Sequence, residues 1–316
     1  MSGAKSNPIL KSKWLNGWPL FFAISVPMSL LIAYVTWQTD TASPEGISFL
    51  IGHSVRWAVP FIFIVIAASS VQILFPGPFT NWLARNRKYL GLCFAVAMAW
   101  QGLFILIVST VYRDYYFTSI YYFRDELEGT VGYVFLAAMV LTSFGFARKY
   151  TSNKQWKLIQ KSGVYFLWAY PFSVYWWNLF YYPYLDGYDS TPRLWDYVFY
   201  ALGFAAFAVR ILAWGKQRAK RMRKAGKTAP PSPLLRMAGT VLIALAAIGA
   251  VTGSYWQDTA STYLSGFGPT GDLSLWIPFF PLEPFLPLLA LGLGVMCWTT
   301  PGAPEHSAAT GTAKPA

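Results

Sequence analysis

Two imidazoles, two thiols and one carboxylate in an apolar setting are nearly all this chain offers to metal, redox or acid–base chemistry. They are His53, His306, Cys93, Cys297 and Glu283. An imidazole lone pair can bind iron or a divalent metal, and its proton exchanges near neutrality. His53 stands three residues before Arg56, so both face one way on a helix. The pair makes a candidate site for an anionic group at one membrane surface; the plainer reading pairs it with an acidic loop residue. Glu283 lies among Pro278, Pro281, Pro284 and Pro287. It is a candidate proton or cation site, and more simply a solvated interface carboxylate. Cys93 and Cys297 fall inside apolar stretches, where a thiol packs as a small hydrophobe; two thiols alone make no metal site. There is no phosphate-cradling glycine loop, metal-ligand cluster or nucleophile–base constellation.

Gln72, Gln101 and Asn178 also lie within apolar stretches, and Gln160 lies at the entrance to one. The favoured reading is hydrogen bonding between helices, at a net gain of about 1 kcal/mol each. The alternative makes Gln101 and Gln160 the walls of a pocket for a flavin, quinone or lipid. Arg210, one turn from the end of its stretch, is expected to snorkel to the headgroups.

These groups are carried by eight apolar stretches: Gly17–Trp37, Ser54–Phe75, Tyr89–Val111, Thr130–Ala147, Ser162–Tyr184, Tyr197–Trp214, Met237–Gly253 and Leu273–Trp298. Most are long enough to cross about 30 Å of hydrocarbon at about 1.5 Å per residue. They lack the alternation of barrel strands, so they read as helices. The fold class is an all-α membrane protein of eight transmembrane helices. Four prolines at the start of the eighth stretch prevent a regular helix there. Gly249 with Gly253, and Gly292 with Gly294, mark close contacts of the last two spans, which read as a hairpin on the preceding six or on another subunit.

Most of the 25 basic residues gather in alternate connections. The N-terminal arm, the Arg85–Lys88 loop, the Arg148–Lys161 loop and the Lys216–Arg236 loop carry them, while the other loops carry most of the 13 acidic residues. The positive-inside bias places both termini in the cytoplasm, as in a bacterial inner (cytoplasmic) membrane. The net charge of +12 is then a topology signal touching anionic headgroups, and no nucleic-acid partner is expected. The first stretch exceeds a signal core and lacks a cleavage site, so it reads as a span. Aromatic residues crowd the acidic side, among them Tyr115, Tyr116, Tyr121, Trp176 and Trp177, as an interfacial belt does.

The middle of the chain carries a cadence: Arg87-Lys88-Tyr89-Leu90-Gly91-Leu92, then Leu141-Thr142-Ser143, Arg148, and Trp156-Lys157-Leu158-Ile159-Gln160 leading to Tyr165. Gly52…Arg56 adds to it. The pattern resembles the ferric-reductase-like transmembrane family, nearest to the haem-binding membrane subunits of bacterial periplasmic methionine sulfoxide reductase systems. It covers roughly residues 14–214, six helices. The resemblance implies a bundle that grips haem between facing axial histidines. At the matching positions this chain has Gln101, Gln160 and Ser173, and an amide or hydroxyl is a poor donor to haem iron. His53 with Met98 or Met139 would be an atypical pair, and neither methionine occupies a ligand position of the family.

The expected organisation is a cytoplasmic arm (1–16), a six-helix ferric-reductase-like domain (17–214), a basic linker (215–236), a transmembrane hairpin (237–298) and a disordered tail (299–316). The expected function is that of a scaffold or accessory subunit that has lost haem; the expected partners are the lipid bilayer and another membrane or redox subunit. No cofactor is expected and haem is disfavoured. The alternatives are electron transfer by flavin, quinone or atypically ligated haem, and transport of a small molecule or lipid.

Overall fold

Caps, rather than the edges of the apolar stretches, decide where the helices begin. Ser43 accepts a hydrogen bond from the Gly46 amide at 3.1 Å, just ahead of Pro44. The Thr80 hydroxyl accepts from the Gly77 amide at 3.0 Å, ahead of Pro78. Ser152 and Gln155 cap each other's amides at 3.2 and 2.9 Å. Each cap satisfies an amide that lacks a partner in the first helical turn. Helices therefore start up to about eleven residues before the apolar runs do.

The computed structural model describes residues 9–187, 190–226, 229–267, 274 and 276–302. Its principal helices are α1 (Trp18–Gln38), α2 (Pro44–Leu74), α3 (Pro78–Val111), α4 (Phe123–Leu141), α5 (Asn153–Phe180), α6 (Leu194–Lys224), α7 (Pro233–Val251), α8 (Gly253–Phe267) and α9 (Leu286–Thr299). No strand occurs among the described residues. Helices α1, α2, α3, α6 and α7 are long and apolar enough to cross a membrane. The chain is an all-α, polytopic membrane protein. Its N-terminal arm before Ile9, His306, Asp189, Asp272 and the tail beyond Gly302 lie outside the described residues.

The remaining three expected spans are helical but fall short in length or apolarity. Helix α4 carries Arg124, Asp125, Glu126 and Glu128 in its first turns. Helix α5 has 28 residues, with a polar first turn and much of its bulk aromatic. The eighth stretch becomes helical only at Leu286, after a short 3-10 turn at Glu283–Phe285. Its 14 residues span about 21 Å. The prolines explain the late start, because each removes a backbone donor. Helix α8, set off from α7 by Thr252, is an element the apolar stretches do not reveal. Helix α6 runs unbroken past Trp214 through Lys224, so the first part of the basic linker is helical.

Helix α2 is central, packing on α3, α6, α5 and α1. Helix α4 leans on α5 and scarcely meets α3, while α7 and α9 pair with each other and α9 docks on α6. Arg87, Lys88 and Arg148 gather toward one end of the bundle, and Asp125, Glu126 and Glu128 toward the other. Aromatic stacking fills the centre: Trp168 lies 4.8 Å from Phe172 and 4.2 Å from Phe207. Its indole N–H donates to the Gly203 carbonyl at 3.0 Å, which keeps a buried donor satisfied.

The α7–α9 crossing depends on Gly239 and Gly294. A Cβ on either would come within 2.9 Å of the other's carbonyl oxygen. Gly294 was expected at such a contact; Gly292 has nothing within 4 Å, and Gly249 only ordinary neighbours. Gly239→Leu should therefore lower the detergent-solubilised melting temperature by an overpacking cost of about 1–3 kcal/mol. Gly292→Leu is the control, and equal melting of both variants would refute this account of the crossing.

Candidate functional site

Because α4 stands away from α3, two cavities open between α2, α3, α4 and α5. The one toward the acidic end has a volume of about 320 Å³. The one toward the basic end has a volume of about 370 Å³. Phe94, Leu136 and Leu167 line both, so the cavities share an apolar wall at mid-bundle. Such volumes are those of small-molecule sites, which are mostly apolar with a few placed polar groups.

Gln101 lines the acidic-end cavity and Gln160 the basic-end one. Both amides are engaged. The Tyr133 hydroxyl of α4 lies 3.1 Å from Gln101 Oε1 and 3.0 Å from the Met98 carbonyl, within reach of either acceptor. Gln160 Nε2 donates to the Met139 carbonyl at 3.0 Å and to Thr142 Oγ1 at 3.2 Å. Ser173 lines neither cavity; its hydroxyl turns back to the Tyr170 carbonyl at 2.8 Å. Gln72 and Asn178 likewise bond across helices, to Asn81 at 2.8 Å and Asp196 at 3.1 Å. Cys93 is buried beside the Phe21 carbonyl.

His53 lines neither cavity. Its Nε2 accepts from the Trp57 indole at 3.2 Å, and its ring faces Phe49. Met98 and Met139 lie in separate cavities, so no His–Met pair is assembled. Arg56 packs its guanidinium over Trp195 at 5.0 Å and Phe49 at 5.8 Å, with Asp196 attracting it from α6. The pair thus shares Phe49 as a neighbour.

Glu283 overturns its expected solvation, being 0% exposed. Neither carboxylate oxygen has a hydrogen bond of ordinary geometry; Ser261 of α8 and the guanidinium of Arg124 are its polar neighbours. The cause is a polar clamp on the Pro-rich segment. Arg124 donates to the Phe280 carbonyl, and Glu128 accepts the Phe279 amide at 2.7 Å. Phe279, at φ 59°, then places its ring against α5, 5.1 Å from Phe166. The clamp carries Glu283 inward with it. Nearby, burial holds the Asp125 carboxyl above its ordinary range against the pull of Arg124. Burial and the hydrogen bond to Glu126 push the Tyr116 hydroxyl up likewise.

Arg210 also departs from its expected placement. Instead of reaching for the surface, it donates to Tyr165 Oη at 2.7 Å and to the Ile66 carbonyl at 3.1 Å. Two acceptors on neighbouring helices offer fixed hydrogen bonds inside the bundle, which outweigh extension toward water. The basic-end cavity gathers Arg87, Lys88 and Arg148 on its wall and rim, with Trp156 beneath the last at 5.1 Å. Sequence reasoning treated these cations as topology signals. Their place in the Arg87-Lys88 and Arg148…Trp156 cadence was the signal that they share a site.

Comparison finds no matching family model, no matching curated protein and no matching solved structure. Fold and cavities together define a polytopic helical membrane protein with two chambers inside its first six principal helices.

The clamp has a direct test. A charge-assisted hydrogen bond is worth about 1.5–3 kcal/mol, equivalent to roughly tenfold or more in an opening equilibrium. In Glu128→Ala, hydrogen exchange across residues 277–285 should accelerate by about that factor, with Glu126→Ala unchanged. Equal exchange in the two variants would rule the clamp out.

Proposed function

We propose that this chain is a haem-free ferric-reductase-like membrane protein, serving as a scaffold or accessory subunit rather than as an electron conduit. The observation that carries this reading is the chemistry of the cavity walls. Two amides, Gln101 and Gln160, stand where the resemblance requires iron ligands, and both are committed to hydrogen bonds with α4. Among the described residues, no histidine lines either cavity. A porphyrin iron needs strong axial donors, and this donor set does not fit it. The clustering of basic loops at one end supports both termini in the cytoplasm of a bacterial inner membrane. Helices α4, α5 and α9 complete an eight-span arrangement in this reading, with α7 and α9 as the hairpin.

The protein purified in mild detergent should show no Soret band and yield no extractable haem, while a partner membrane protein co-purifies with it. A stoichiometric b-type spectrum would overturn the proposal. Reporter fusions after Ala225 should be active in the cytoplasm and those after Asp258 outside it; the reverse pattern would overturn the orientation.

The acidic-end cavity favours a second reading. Its apolar wall and the polar groups of Gln101, Tyr133 and Asp125 suit a flavin or quinone ring. A flavin or quinone that co-purifies and is reducible in place would move the chain back among electron-transfer subunits.

A further inference from the structure

The basic-end cavity holds more positive charge than its surroundings answer. Arg87, Lys88 and Arg148 line it, and among the described residues no carboxylate does. Their partners are neutral. Arg87 donates to Ser69 Oγ at 3.3 Å. Arg148 donates to the Thr151 carbonyl at 2.6 Å, to Thr151 Oγ1 at 3.2 Å and to Asn153. Lys88 lies over the rings of Phe144 and Tyr89 at 5.3 and 5.9 Å. Arg210, itself bonded only to Tyr165 and Ile66, repels Arg87 from the α6 side. Guanidinium groups drawn into a helix bundle without a counter-charge are costly, and an anion that satisfies their free donors relieves that cost.

The shape of the cavity says what kind of anion. The cations sit where α4 ends and α5 begins, beside the third turn of α3. Behind them the wall turns apolar through Ile62, Val65, Leu92 and Val140, then reaches Phe94, Leu136 and Leu167, shared with the second cavity. An occupant must therefore be charged at one end and apolar at the other. Arginine forks match phosphate oxygens, and basic pockets between transmembrane helices recognise anionic headgroups.

We propose that the basic-end cavity is a binding site for an anionic phospholipid, its phosphate held by Arg87, Lys88 and Arg148 and one acyl chain lying along the Phe94–Leu136–Leu167 wall. This rests on the bundle being free of haem, and the two can fail separately: a Soret band sinks the haem-free reading, whereas the lipid proposal has its own readout.

That readout is native mass spectrometry of the full chain released from mild detergent, with phosphatidylglycerol or phosphatidylcholine added. The expected result is one retained phosphatidylglycerol per chain, with phosphatidylcholine at least tenfold weaker. The combined variant Arg87→Gln, Lys88→Gln, Arg148→Gln should lose at least tenfold in phosphatidylglycerol retention. Lys149→Gln with Lys154→Gln, basic-end cations that do not line the cavity, should retain it fully. Gly91→Leu leaves every charge in place and tests the cavity itself, should the triple variant misfold. A Cβ there meets nothing nearer than Val65 at 3.9 Å, so the added side chain should fill the cavity and displace the lipid. Glycerol 3-phosphate should not displace it at equal concentration. Retention in the triple variant or in Gly91→Leu, equal loss in the Lys149/Lys154 control, equal binding of phosphatidylcholine, or displacement by glycerol 3-phosphate would each overturn the lipid assignment.

Discussion

The placing of α4 is the constraint on which the rest of the structure depends. Three polar links hold it, spaced along its length. At its start, Arg124 and Glu128 grip the Phe279–Phe280 backbone. In its middle, Tyr133 reaches Met98 and Gln101 on α3. At its end, Gln160 of α5 bonds to Met139 and Thr142. Hydrocarbon supplies no competing water, so such links fix distance and register where apolar packing would let helices slide together. Packing alone would close α4 against α3. Held by side chains that bridge a gap, it stands off instead, and the gap becomes the two cavities.

The helical class and most crossings were legible because a membrane demands long apolar runs, and this chain supplies them. Helix ends were less so. Ser43, Ser152 and Ser232 set them by capping amides, which a hydropathy profile does not register. The Pro-rich segment was read correctly as non-helical, yet its burial was not foreseen. Proline spacing tells where a helix cannot form; it does not say that Arg124 and Glu128, about 150 residues away in sequence, will pull the segment inward. Glu283 went with it, from an expected place in water to a buried one.

The basic residues teach a related lesson. Their distribution between loops carries a real topological message, and that message is sufficient to explain their number. It leaves unread which of them turn into the bundle. Arg87 and Arg210 differ from the exposed Lys216 and Lys220 in being half-buried, beside Ser69, Tyr165 and Ile66. A cation whose partners are hydroxyls and carbonyls keeps its full charge and most of its need for an anion. Loop statistics cannot separate these from solvated lysines; Arg210 is marked by its place within the apolar Tyr197–Trp214 stretch, whereas Arg87 sits in a basic run that carries no such mark.

Glutamine and histidine diverge most sharply at a point like Gln160. Both side chains present a donor and an acceptor at similar reach, so either can bond α5 to the end of α4. Only the imidazole offers iron a strong lone pair while donating its other N–H to a neighbour. An amide spends its donor on Met139 and Thr142 and has a carbonyl left, which suits a hydrogen bond and not a haem iron. A glutamine there therefore keeps the strap, the spacing and the chamber without offering iron a strong axial donor. What such a chamber accepts is then governed by its charges and its apolar walls.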